Sequence, residues 1–109
     1  MGIKIEHNRY GSCPIIVCDH CQKQIVDAEE GSYLFDMPLY AKGNHQVDVL
    51  FAHRRCFDHL EKRMEASGCD LVGDIPLEAF SVYLERNLKL NRKRAVTTAN
   101  ALSDGIEGV

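Results

Sequence analysis

Two short clusters constrain this chain more than anything else in it: Cys18-Asp19-His20-Cys21 and, further along, His53-Arg54-Arg55-Cys56. Each sets two soft donors two residues apart, a gap that lets both converge on one point from a single turn of backbone. Three thiols and one imidazole make a closed four-ligand set for a tetrahedral ion. Cys18, Cys21, His53 and Cys56 are therefore predicted metal ligands, for zinc first, with iron or an unmetallated thiol cluster as the alternatives. A shell filled by four protein ligands keeps no position for a reacting water, so the metal is expected to hold structure rather than to catalyse.

The remaining thiols fit this reading. Five cysteines are an odd number, which suits a fully paired secreted framework poorly and metal in a reducing compartment better. Cys13 and Cys69 are then left as unremarkable or buried thiols, with an alternate ligand or an adventitious disulfide as the other options. Among the histidines, His20 is expected to be exposed and to point away from the metal, His45 to be solvated in a turn, and His7 and His59 to carry no evident chemistry.

At 109 residues the chain is long enough for one small domain, with a core for which a metal staple would be a useful addition. A net charge of -3 argues against wholesale binding to nucleic acid or to acidic membranes. No stretch approaches the ~20 apolar residues of a membrane span, and Met1 to Tyr10 lacks the apolar run of a signal peptide. A cytoplasmic protein is expected.

Residues 1–12 alternate weakly and read as an edge strand or a disordered lead-in ending at Gly11-Ser12. Ile15, Ile16 and Val17 are β-branched and suit a strand that delivers the first donor pair to a tight turn. A second extended piece, 22–26, and a polar surface turn, 27–31, follow. Tyr33 to Ala52 is predicted to form a β-hairpin turning at Lys42-Gly43-Asn44-His45, with Val47, Val49 and Phe51 alternating along its second strand. From Arg54 or Arg55 the period becomes helical, and Phe57, Leu60 and Met64 share a stripe until Ser67-Gly68 ends the helix.

A linker, 69–73, precedes Asp74-Ile75-Pro76, which carries the signature of a helix start. The second helix is expected to reach about Leu88, with Leu77, Phe80, Leu84 and Leu88 on a stripe packed against the first helix and the hairpin. Domain limits follow: a lead-in over 1–12, a single zinc-binding domain over 13–90, and a tail over 91–109 expected to be disordered.

Strand, Cys-x-x-Cys turn, hairpin and then a donor pair opening a helix is an order that resembles a treble-clef zinc finger. His53-Arg54-Arg55-Cys56-Phe57 is similar to the His-x-x-Cys-Phe of a LIM-type half module, and the resemblance spans 15–66. It implies a small α+β treble-clef domain with short hairpins, a helix after the second ligand pair and an added C-terminal helix. Where a LIM domain begins its second module this chain has His59 and Lys62, and Gln22 stands where many such turns have Gly. Treble clefs also occur in His-metal nucleases, whose catalytic residues Asn44 and His45 would have to supply, but no supporting ligand set joins them.

No Ser-His-Asp set, Gly-rich phosphate loop or paired carboxylate motif stands out, so the chain is not expected to be an enzyme. The expected function is a non-catalytic, zinc-binding adaptor or regulatory module that binds a protein partner or itself, with Phe80, Tyr83 and Leu84 as candidate contacts. Core packing is the stronger reading for Phe80 and Leu84. Nucleic-acid binding is the alternative: Arg54, Arg55, Lys62 and Arg63 crowd the first helix and Arg86, Lys89, Arg92, Lys93 and Arg94 the end of the second, although Asp58, Glu61, Glu65 and Glu85 are interleaved.

Overall fold

Ile3 and Ile5 alternate with polar residues, and that pattern forms β1 (Ile3–Asn8), which turns back at Gly11 (φ 111°) into β2 (Gly11–Ile16). The computed structural model describes residues 2–9, 11–37 and 47–107, those from 103 onward by backbone alone. In the β1–β2 hairpin Ile3 pairs with Ile16 and Asn8 with Gly11. Gly11-Ser12 thus opens a strand rather than ending a lead-in, the positive φ at position 11 being one that glycine takes without strain.

A second sheet has the order β4-β3-β5, with β3 (Gly31–Asp36) antiparallel to both β4 (Leu50–His53) and β5 (Val72–Pro76). β3 and β4 are the two arms expected between Tyr33 and Ala52, although the turn predicted at 42–45 lies outside the described residues. Strand alternation then sorts the side chains. Leu34, Leu50 and Ala52 face one way, onto helix α1 (Phe57–Ala66), where Leu60 is wholly buried among them and Phe57 and Met64 flank it. Tyr33 and Phe51 face the other way, onto Cys18, Ile25, Cys56 and Leu77. His53, two residues beyond Phe51, falls on that second face. Gly31 lets the layer close, since a Cβ there would lie 2.9 Å from both the Ile25 and Leu77 side chains.

α1 ends where the sequence says it should. Gly68 adopts φ 101°, its N–H bonds the Glu65 carbonyl, and the Cys69 N–H bonds that of Met64, the pattern that satisfies the last carbonyls of a helix.

Three expectations are corrected. Asp74-Ile75-Pro76 does not start a helix: the three residues end β5, opposite Leu34, Tyr33 and Ser32. The proline forces its predecessor into extended backbone, and the strand pairing takes up that geometry. Helix begins instead with a 3-10 turn over Leu77–Ala79 running into α2 (Phe80–Leu88), with no side-chain cap. The stripe along α2 is the second correction. Leu77 is buried and Phe80 packs edge-on against Tyr33 and Phe51, with ring centroids 5.5 and 5.4 Å away, but Leu84 and Leu88 face solvent. Beyond its first turn α2 runs clear of the sheet, and no described residue buries them.

The third concerns the tail. Residues expected to be disordered form helix α3 (Arg92–Glu107). Its first turn is capped by Asn91, whose Oδ1 accepts the Arg94 N–H at 3.0 Å, and Arg92 pairs with Glu85 of α2. A cap and the opening Arg92-Lys93-Arg94-Ala95, all good helix formers, start the helix despite the lack of a strong apolar period.

Candidate metal centre

The first donor pair sits on a turn whose backbone is fixed from both sides. Val17 bridges to Gln24, the Cys18 N–H bonds the Lys23 carbonyl at 2.9 Å, and the Gln22 N–H returns to the Cys18 carbonyl at 3.0 Å. So sharp a reversal requires one left-handed residue, and Gln22 takes it at φ 63°. The second pair straddles the junction of β4 and α1. His53 is the last residue of the strand, and Cys56 ends a 3-10 turn over Arg54–Cys56 just before Phe57. The helix N-terminus favours a thiolate at Cys56.

Asp19 ties the two pairs together. Its N–H donates to the Phe51 carbonyl and its Oδ2 accepts the Phe51 N–H, both at 2.8 Å, which docks the turn on β4 two residues before His53. Gly2 passes beneath: its carbonyl accepts the Val17 N–H at 2.6 Å, and a Cβ there would strike Phe51.

The result is that the donor atoms of Cys18, Cys21, His53 and Cys56 all lie within 4.8 Å of one another. Zn–S bonds of ~2.3 Å in a tetrahedron would set donors roughly 3.5–3.8 Å apart, so the cluster fits such an ion after small adjustments. Cys18, His53 and Cys56 are buried and Cys21 is partly exposed. The imidazole is already oriented. His53 Nε2 lies 3.1 Å from the Gln24 carbonyl, which can only accept, so Nε2 carries the proton and Nδ1 turns its lone pair inward, 3.4 Å from Cys21 Sγ.

The thiols differ electrostatically. Burial pushes Cys18 up, but the backbone N–H groups of Cys21, His53 and His20 outweigh it and bring the thiol down to about 6. One of these donors, the His20 N–H, lies 3.4 Å from Cys18 Sγ. Burial, and then the neighbouring Cys18 and Cys21 sulfurs, push Cys56 up to about 11. Gathering negative charge in one dry spot is unfavourable without a cation, and a bound divalent ion removes that cost. The four residues can hold a metal ion, and their chemistry is compatible with zinc.

His20 stays outside the donor set. Its ring stacks on His59 with centroids 4.4 Å apart and planes within 2°, a contact between residues 39 apart that no local spacing reveals. Asp19 and Gln24 were also missed, since nothing in their identity announces a strand clamp or a carbonyl partner for an imidazole. Cys69 lies remote from the cluster, its thiol donating to the Leu71 carbonyl, and burial pushes it up. Cys13 is a half-buried cysteine on β2. Asn44 and His45 lie outside the described residues. No helix among the described residues is long and apolar enough to cross a membrane.

Compared with known proteins, the chain matches no family model, no curated protein and no solved structure.

Proposed function

We propose that this chain is a non-catalytic zinc-binding module in which the metal holds structure and the exposed helices serve a protein interaction or a regulatory contact. The observation that carries this reading is the closed donor set: four protein ligands, three of them buried, converge on one point. Four such ligands complete a structural zinc shell, whereas a catalytic zinc keeps a position for water. Order along the chain supports a treble-clef architecture, with a cysteine turn, β3 and β4, and a second donor pair leading into α1. His53-Arg54-Arg55-Cys56-Phe57 supports likeness to a LIM-type half module. An odd number of cysteines, five, suits a reducing, cytoplasmic setting.

Elemental analysis of the purified protein together with its solution mass tests the proposal. Stoichiometric zinc, lost with the fold on chelation, is expected. A zinc-free chain with a dispersed NMR spectrum would sink the reading, and so would a metal that exchanges a bound water and hydrolyses esters.

Nucleic-acid binding is a second reading, favoured by the five cations from Arg86 to Arg94. A mobility-shift assay decides it, since phosphate contacts are strongest at low salt. Absence of a shift there removes it.

A further inference from the structure

What the metal centre leaves unexplained gathers at the opposite end of the chain. α2 stops at Lys89, which adopts φ 52°, and the Leu90 N–H closes onto the Glu85 carbonyl before α3 departs. Between the end of α2 and one side of α3 lies a groove of about 510 Å³, whose floor includes Leu88, Leu90, Ala95, Ala99 and Leu102. Positions 95, 99 and 102 fall on one helix face. Leu88 and Leu102 are each 65% exposed and Leu90 44%. Lone exposed leucines are ordinary, but several lining one groove mark a surface that something covers.

Charge says what the cover must carry. From Arg86 to Leu102 the chain has five cations and no Asp or Glu, within a protein of net charge -3. Arg92 is paired with Glu85, while Lys89 and Arg94, both lining the groove, and Lys93 beside them have no ion-pair partner among the described residues.

We propose that this groove binds an acidic amphipathic helix of a partner protein. The partner's apolar side chains, spaced i, i+3/i+4 and i+7, fill the floor made by Leu88, Leu90 and Leu102, and its carboxylates meet Lys89, Lys93 and Arg94. This deepens the interaction reading above and rests on it. Nucleic acid would gain nothing from an aliphatic floor that offers its bases no aromatic ring. A two-fold pairing of the groove with itself would set like charges against one another.

The test uses the full-length, zinc-loaded protein and a labelled synthetic helix bearing leucines at i, i+3/i+4 and i+7 and glutamates elsewhere. A scrambled peptide of the same composition, phosphatidylserine-containing vesicles and duplex DNA are measured in parallel. Expected is micromolar binding that weakens with salt and falls about tenfold or more in Leu88→Ser/Leu102→Ser and in Lys89→Glu/Arg94→Glu, with zinc content unchanged. Equal binding of the scrambled peptide, binding to vesicles or DNA alone, or a dimer abolished by the leucine substitutions would each overturn the proposal. A zinc-loaded chain that ignores the peptide defeats the groove and leaves the zinc reading standing. A folded, zinc-free chain that binds it does the reverse.

Discussion

The metal-centre half of this molecule and its C-terminal helices carry similar apolar side chains and do opposite things with them. Between Ile16 and Phe80 the central sheet is covered on both faces, by α1 on one and by the cysteine turn and Leu77 on the other. Beyond Phe80, leucines at 84, 88, 90 and 102 are left in solvent although both segments are helical and α3 has its Asn91 cap. Local rules make α2 and α3 helices; they do not give them a core. The difference teaches that the cross-link matters more than the amount of apolar surface. Each donor pair belongs to a short element that could not hold its place alone, and a four-ligand centre would fasten the two together.

Removing that fastening should break the comparison most severely. Structural zinc binds with an apparent ~10–16 kcal/mol in small domains, comparable to or larger than the whole stability of a chain this size. Cys56→Ser, or excess chelator, is expected to collapse the dispersed NMR signals of the sheet and α1. Deleting residues from 91 onward should leave those signals and the zinc content in place. A Cys56→Ser protein with an unchanged spectrum would show that the core suffices without metal.

Single leucines in the two halves should differ next. Leu60 is wholly buried under the sheet, so Leu60→Ala should cost about 2–5 kcal/mol. Leu102→Ala, made on a side chain that is mostly exposed, should stay within ~0.5 kcal/mol. Denaturant midpoints of the zinc-loaded proteins measure both. Equal losses would mean that α3 is packed in solution more tightly than its exposure indicates.

Protons should tune the metal-centre half. Relative to the unfolded chain, the folded donor cluster raises Cys56 from 9.0 to about 11, so its contribution is present below pH 9 and lost as pH rises towards 11. Cys18 is lowered from 9.0 to about 6, so its contribution is present above pH 9 and fades as pH falls through 6. A metal needs both as thiolates. In the chain that chelation unfolds both are thiols at neutral pH, so zinc must displace both protons on binding. Affinity should fall at least about tenfold per pH unit from 8 to 6.5 and more steeply below 6. Competition with a chromophoric chelator across this range reads the slope. A flat profile would mean that Cys56 is already ionised in the metal-free protein.

How much of this was legible in the sequence depended on whether the information was local. Cys18, Cys21, His53 and Cys56 could be picked out because ligand spacing is a property of adjacent residues. The end of α1 at Ser67-Gly68 was readable for the same reason, glycine being suited to the left-handed position. Asp74-Ile75-Pro76 misled because capping chemistry and strand-end chemistry use the same residues, and only β3, forty residues earlier, decides between them. Leu84 and Leu88 misled because a helical stripe shows that a face exists without showing what lies opposite. The Asp19 clamp on Phe51 and the Gln24 carbonyl behind His53 join residues about thirty apart, and no local pattern encodes them.

The smallest expected effect concerns Gln22, the residue on which the cysteine turn pivots. A left-handed non-glycine residue carries a penalty of about 1–2 kcal/mol, and glycine would escape it. Against this, glycine is more costly to order from the unfolded chain by roughly 0.5–1 kcal/mol. The substitution would also give up the exposed 3.1 Å hydrogen bond from Gln22 Nε2 to the Asp19 carbonyl. The balance leaves Gln22→Gly neutral to about 1 kcal/mol more stable, with zinc content unchanged. Denaturation of the zinc-loaded protein at neutral pH can resolve such a shift. A clear loss would show that the side-chain bond, rather than the backbone angle, dominates this position, and that the turn is held in shape by Asp19 on both its strand side and its own.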